Sequence, residues 1–225
     1  MLDLCFTSLI LTVSPSPNYR WYIVGLTLVN QAFAVGIIIY SFALFVVPWL
    51  GEYQIARSTV MLAILALQIV TGLLSPLIGQ LLDHYAMRRL VVFGVASMCI
   101  GLSLLSQATE FWQVVFVYSL ILPVSMLLTG TLASQTMISK WFTSQRSLAI
   151  GLSAMGTSIG GLTIPLITTA LIDWYALQGA FMLLAVGSLA ILIPLNLTIL
   201  RVEPPEQIEQ QKDGFEISQR IWRSR

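Results

Sequence analysis

Charge is what this chain has least of. Only 9% of its 225 residues are Asp, Glu, Lys or Arg, against about 25% in a soluble domain, too few to clothe a globule in a water-facing shell. Cysteine is scarce as well: Cys5 and Cys99 are the only two, and Cys99 falls inside an apolar run, which excludes a disulfide framework and a cysteine-based metal site. One histidine, His84, cannot make a histidine cluster. No metal or cofactor is therefore expected. A net charge of +1 gives no basic footprint for a nucleic-acid partner.

What the chain has in abundance is apolar length. Hydrophobic residues make up 57% of it, and its mean hydropathy is +0.86. A helical span needs about 20 apolar residues, so this length admits at most roughly six or seven. Uncharged runs cover residues 22–48, 59–82, 90–108, 111–136, 147–172 and 177–200. Every charged residue lies between these runs or in the tails, as the cost of a charge at mid-bilayer requires. The expectation is an all-α integral membrane protein of six transmembrane helices.

Residues 1–19 hold an apolar stretch, Leu4 to Val13, too short to span and broken by Ser14-Pro15-Ser16-Pro17. They read as a cytoplasmic leader, residues 20–201 as the bundle, and residues 202–225 as a charged cytoplasmic tail. When the loops are placed alternately, one side receives Arg20, Arg88, Arg89, Lys140, Arg146, Arg201 and the four bases of the tail, and the other receives Arg57. The positive-inside rule then puts both termini in the cytoplasm of a plasma (inner) membrane. Asn196-Leu-Thr198 would sit at the inner face, out of reach of glycosylation.

The chain also resembles itself. Arg57-Ser58 opens the second run, with Gly72 and Pro76 following; Arg146-Ser147 opens the fifth, with Gly161 and Pro165 at the same intervals. One residue out of register, Asp83-His-Tyr85-Ala86 answers Asp173-Trp-Tyr175-Ala176. Because each unit holds three spans, the second crosses in the opposite sense, which makes an inverted 3+3 repeat.

The turn Gly79-Gln-Leu-Leu-Asp83-His-Tyr-Ala-Met-Arg88-Arg89 resembles the signature loop between the second and third spans of the major facilitator superfamily, with His84 where that family usually has Arg or Lys and Ala86 where it has Gly. The stretch from Lys140-Trp141-Phe142 through Arg146, Ala149, Gly151 and Gly156 is similar to the monocarboxylate transporter and oxalate-formate antiporter branch. The resemblance implies the N-terminal six-span half of a secondary transporter. Its implied cargo is a small solute such as a monocarboxylate, coupled to a proton or a counter-anion, and its implied partner is a second half, as a separate chain or a second copy. The alternative is a truncated six-span fragment that only associates with other membrane proteins.

Polar side chains near mid-span are the substrate-binding candidates: Asn30, Gln31, Gln68, Ser125, Thr129, Thr157 and Ser158. Gly79, Asp83, Arg88, Arg89, Lys140 and Arg146 form the candidate conformational motif, in which Asp83 is expected to pair with Lys140 or Arg146. Each mid-span polar residue has a plainer reading as a hydrogen bond between helices. Stripes of small residues, Ser153, Gly156, Gly160 and Thr163 in the fifth run and Gly72, Ser75 and Gly79 in the second, serve either close packing or sliding. Gly156-Thr-Ser158-Ile-Gly160 also fits a nucleophile-elbow spacing. The only imidazole stands at a membrane boundary, far in depth from Ser158, so catalysis is not expected.

Overall fold

A computed structural model describes residues 19–142 and 145–200. Most of the expected leader and the whole of the expected tail lie outside the described residues. Among the described residues, five helical stretches are long and apolar enough to cross a membrane: α1 Tyr19–Tyr53, α2 Arg57–His84, α3 Met87–Ser106, α4 Phe111–Trp141 and α5 Arg146–Ile199.

The last of these differs from expectation, since the fifth and sixth runs fall in one helical stretch of 54 residues. At 1.5 Å per residue this would be about 80 Å long if straight, far beyond a hydrocarbon core of about 30 Å. It is not straight. Ala176 has φ 58° and ψ 176°, outside any helical region, and divides α5 into arms of residues 146–175 and 177–199. The second arm doubles back. Gln178 at its start meets Ser106 and Glu52, while the Ile199 carbonyl at its end accepts from the Tyr19 hydroxyl.

The helices also run past the apolar runs at several ends: α1 continues through Pro48 to Tyr53, and α4 to Trp141. Residues at a membrane boundary can stay helical without being apolar, so hydropathy finds the spans better than their ends. One proline in α4 acts on the ladder before it. Pro123 has no N–H to donate, and the residues just before it, Val117–Ile121, open into a π turn. The Ile121 carbonyl accepts from the hydroxyl of Ser97 on α3 at 3.2 Å. A second π turn, Gly36–Tyr40 in α1, is closed by the Ser41 N–H and hydroxyl, both donating to the Gly36 carbonyl. Such side-chain repairs are how a broken ladder survives away from water.

Helix α1 is the axis of the bundle. Of its most apolar window 56% is buried, against 11% for α2. Its contact with the first arm of α5 is set by three small residues. A Cβ on Gly156 would lie 2.2 Å from the Leu28 carbonyl oxygen, one on Gly160 would lie 2.2 Å from that of Ala32, and one on Gly36 would meet Ile164 at 2.7 Å. The partners advance together, 28 with 156, 32 with 160 and 36 with 164, so the two helices run parallel with backbones in contact. The stripe in α5 is packing at Ser153, Gly156 and Gly160, all buried, and leaves Thr163 exposed. In α2 the glycines of the matching stripe make no such close approach: a Cβ at Gly72 or Gly79 would meet no atom within 4 Å among the described residues.

Aromatic rings close both ends. Phe45 and Phe181 lie 4.4 Å apart, and Trp49 stacks on Phe181 and meets Tyr118 edge-on, tying the end of α1 to the starts of α4 and of the second arm of α5. At the opposite end Tyr19 meets Trp141 at 5.4 Å, and Trp21 meets Phe142 at 5.6 Å. That second end gathers the starts of α1 and α5 with the ends of α2 and α4, and so carries Arg20, Lys140 and Arg146. Arg57 stands at the other.

Candidate functional site

The mid-span polar residues divide into those that hold the helices together and those that face outward. Asn30 of α1 and Asn196 of the second arm form a reciprocal amide pair, each donating its amide nitrogen to the other's oxygen at 2.9 Å. Both are buried. Next to Asn30, the Gln31 amide donates to the Ser153 hydroxyl at 2.7 Å, and its oxygen accepts from Thr157 at 3.1 Å. Gln31 thereby bridges α1 to the first arm of α5 beside the glycine contact. Asn30 and Gln31 are both partnered: moving either onto a solute would leave a buried amide to be satisfied elsewhere.

Ser125 and Thr129 of α4 are also buried. Thr129 turns back to the Ser125 carbonyl at 2.7 Å, and its methyl abuts Gly94 of α3, where a Cβ would meet it at 2.9 Å. The Ser125 hydroxyl has no partner among the described residues. Gln68 of α2 and Ser158 of α5 are exposed, and Thr157 is half-buried. The seven candidates thus do not converge: Gln31 and Thr157 meet, Ser125 and Thr129 are neighbours on one helix, Asn30 is buried against Asn196, and Gln68 and Ser158 face outward on α2 and α5.

Sequence reasoning passed over a second set. Helix α4 breaks at Gly130, with φ −85° and ψ −142°, and resumes at Thr131 with no side chain capping its first turn. The break turns Thr131 and Gln135 outward, and both are exposed. With Thr71 of α2 they line a cavity of about 240 Å³, walled by Met126, Leu127 and Leu132. The Thr71 hydroxyl is buried without a hydrogen-bond partner among the described residues. The available signal was Gly130 between two threonines, a weak one.

At the basic end, Lys140 of α4 reaches the end of α2. Its ammonium donates to the Leu82 carbonyl at 2.6 Å and to the Asp83 carbonyl at 3.4 Å, and lies 3.8 Å from the Asp83 carboxylate. The pairing of Asp83 with Lys140 is present, with the carboxylate side chain 65% exposed. Solvent screens such a pair. The carbonyl bonds, which satisfy acceptors that a helix end leaves open, are the firmer part of the contact. Arg88, Arg89 and Arg146 are exposed, and His84 bonds the Gln80 carbonyl of its own helix at 2.8 Å. Ser158, twelve residues into α5, stands about 18 Å along the axis from Arg146 at that end, so the arrangement gives it no imidazole base.

Comparisons with known proteins bear on this architecture. The family described as Major Facilitator Superfamily matches residues 5–224. An MFS-type transporter 1 of Ophiocordyceps sp. is 32% identical over 57% of this chain and 28% of its own length. An uncharacterized MFS-type transporter of Bacillus subtilis is 22% identical over 89% of this chain and 49% of its own. Monocarboxylate transporter 9 of Mus musculus is 30% identical over 79% and 34%, and a fujikurins efflux protein of Gibberella fujikuroi is 30% identical over 53% and 26%. The chain spans half or less of the length of each of these relatives. Its apolar helices, its basic turn after α2 and the match over nearly all its residues agree: this chain is a multi-pass membrane protein and belongs to the major facilitator superfamily.

Proposed function

We propose that the chain forms the N-terminal half of a secondary transporter, crossing the membrane six times as an inverted 3+3 repeat and carrying a small organic solute between itself and a second half. The observation that carries this reading is the outer face of α2 and of the first arm of α5. Gln68, Gly72, Gly151 and Ser158 are exposed there, and a Cβ at Gly72 or Gly151 would touch nothing. Polar and glycine surface is poor lipid-facing surface and good helix-facing surface. Bilayer on one side and a second bundle on the other is the arrangement that suits it.

The break at Ala176 supports the six crossings, since it matches Ala86, which stands between α2 and α3, at the place where the sequence repeat aligns them. The gathering of Arg20, Lys140 and Arg146 at one end supports a cytoplasmic position for that end. Asp83, Lys140 and the bases beside them, with Gly79, would then form an inner latch between α2 and α4. Gln68, Thr157 and Ser158 are the candidates left to meet a solute, with Asn30, Gln31, Ser125 and Thr129 shaping the wall behind them.

For the solute, the Trp141-Phe142 motif and the likeness to a monocarboxylate transporter favour a monocarboxylate, exchanged for a counter-anion or moved with a proton. No Asp, Glu, Lys, Arg or His lies at mid-depth in these helices, so the counter-charge would come from the second half. Proteoliposomes of the full chain at high density test the reading: saturable, protein-dependent uptake or exchange of labelled lactate, pyruvate, formate or oxalate is the expected result. Flux that stays at the level of empty liposomes, even when two copies are joined in tandem, would reject it.

A further inference from the structure

We propose that residues 166–175, the last ten of the first arm of α5, form a hinged strap that swings at the end of the bundle opposite the basic turn. A weak joint lies at each end of the segment, and one side-chain hydrogen bond pins it to another helix. The movement itself does not depend on the transporter reading. Its use, to open and close one end of a path, rests on that reading.

The first joint is Pro165. It has no N–H to return to the Gly161 carbonyl one turn below, and the Thr169 hydroxyl folds back onto the Pro165 carbonyl at 2.9 Å, a bond that bends helices. The second joint is Ala176, whose φ of 58° and ψ of 176° put it where glycine alone rests without strain. Such angles persist only while the surroundings impose them. Just beyond Ala176, Leu177, Ala180 and Phe181 are buried, and the Gln178 carbonyl accepts from the Ser106 hydroxyl at 2.8 Å. The second arm is therefore fixed, and a turn of the strap lets Ala176 relax.

The fastening of the first arm is lopsided. Below Pro165, Gly156 and Gly160 touch the α1 backbone, Ile164 meets Gly36, and Ser153 and Thr157 hold Gln31. Above it, seven of the ten strap residues are exposed, so little surface holds the segment down. Thr168 is wholly buried, and its hydroxyl lies 3.1 Å from that of Ser41 in α1. Because the Ser41 hydrogen is already on the Gly36 carbonyl, Thr168 is the donor. Among the described residues this is the strap's only side-chain hydrogen bond to another helix. Leu171 and Ile172, half-buried against the core, add apolar contact. A segment with few buried contacts opens before the rest of a fold does. The hydroxyl pair holds the strap down and the strain at Ala176 drives it off, so substitutions at the two act in opposite directions.

Spin labels read this in the full chain, in lipid nanodiscs, with Cys5→Ser and Cys99→Ser. Ala170→Cys in the strap is paired with Leu62→Cys near the start of α2, and Ala154→Cys below the joint with Gln80→Cys near the end of α2; all four positions are exposed. Dipolar distances are measured with no solute present. The strap pair is expected to show two distance populations and the lower pair one. Thr168→Val, which keeps shape and removes the donor, should raise the displaced population of the strap pair at least twofold. Ala176→Gly, which removes the strain, should lower it at least twofold.

A single narrow distance for the strap pair in the Thr168→Val chain would overturn the proposal, as would shifts of the same sign from both substitutions, or a shift from neither. If Thr168→Val also broadens the lower pair, Ala176→Gly decides alone, and a displaced population that does not fall twofold overturns the proposal. Absence of solute flux leaves these distances as they are and bears on the transporter reading alone.

Discussion

Substituting Gly160 with Ala adds one methyl group, and the structure says where it goes. The new Cβ would lie 2.2 Å from the Ala32 carbonyl oxygen and 2.6 Å from its Cα, whereas carbon atoms rest at about 3.5–4.0 Å. Both neighbours are backbone, so no rotamer change relieves the contact. The first arm of α5 must back away from α1 by roughly 1 Å or more. Overpacking of this kind costs about 1–3 kcal/mol. The same displacement stretches the bonds from Gln31 to Ser153 and Thr157, now 2.7 and 3.1 Å, and hydrogen bonds between membrane helices average about 0.6 kcal/mol each. A total of about 2–4 kcal/mol follows. By the scaling for chains of this size, the melting temperature in detergent should fall by about 5–10 °C.

Gly151→Ala and Gly72→Ala serve as controls, because nothing lies within 4 Å of either added Cβ. Alanine is the better helix former by about 1 kcal/mol, so both should melt at or slightly above the native temperature. If Gly160→Ala melts with the native chain, or the controls fall as far as it does, then the close packing of α1 on α5 is not what holds the bundle.

Further outcomes follow from the same geometry. Asn30→Leu should destabilise by about 1–2 kcal/mol by stranding the Asn196 amide, and adding Asn196→Leu should restore most of it, since replacing both partners is nearly neutral; a double change worse than the single would refute the pair. Lys140→Met should lower the melting temperature more than Asp83→Asn, because it strips two carbonyls at the end of α2 while Asp83 is mostly solvated, and the reverse order would assign the contact to the carboxylate. In a Cys-free background, Arg88→Cys should label only from the cytoplasm and Gln54→Cys and Thr109→Cys only from outside. External labelling at position 88 would invert the topology.

That the chain is built of long apolar helices was readable in the sequence because charge is excluded from a bilayer core, although the fifth and sixth runs fall in one helical stretch, Arg146–Ile199. The pairing of Asp83 was readable for a related reason, few bases being available to meet it. The partners of the mid-span polar groups were not readable. Hydropathy shows that Asn30 is deep but carries nothing about which helix packs on which face, and Asn196 drew notice only as a glycosylation pattern. Ser153 drew notice only as a small residue, although its hydroxyl holds Gln31. Thr131 and Gln135 escaped because a smooth helix would turn them elsewhere. It takes the backbone angles of Gly130, which composition does not reveal, to bring them beside Thr71.

If this bundle is one wall of a transport path, as proposed, it should not transport alone. Proteoliposomes holding a single copy each, counted by single-molecule photobleaching, can be assayed for uptake and exchange of formate, oxalate, lactate and pyruvate beside liposomes holding two or more. Single copies should give flux at the empty-liposome level, and saturable flux should appear only where a second half is present. Saturable, protein-dependent flux from single copies would contradict it.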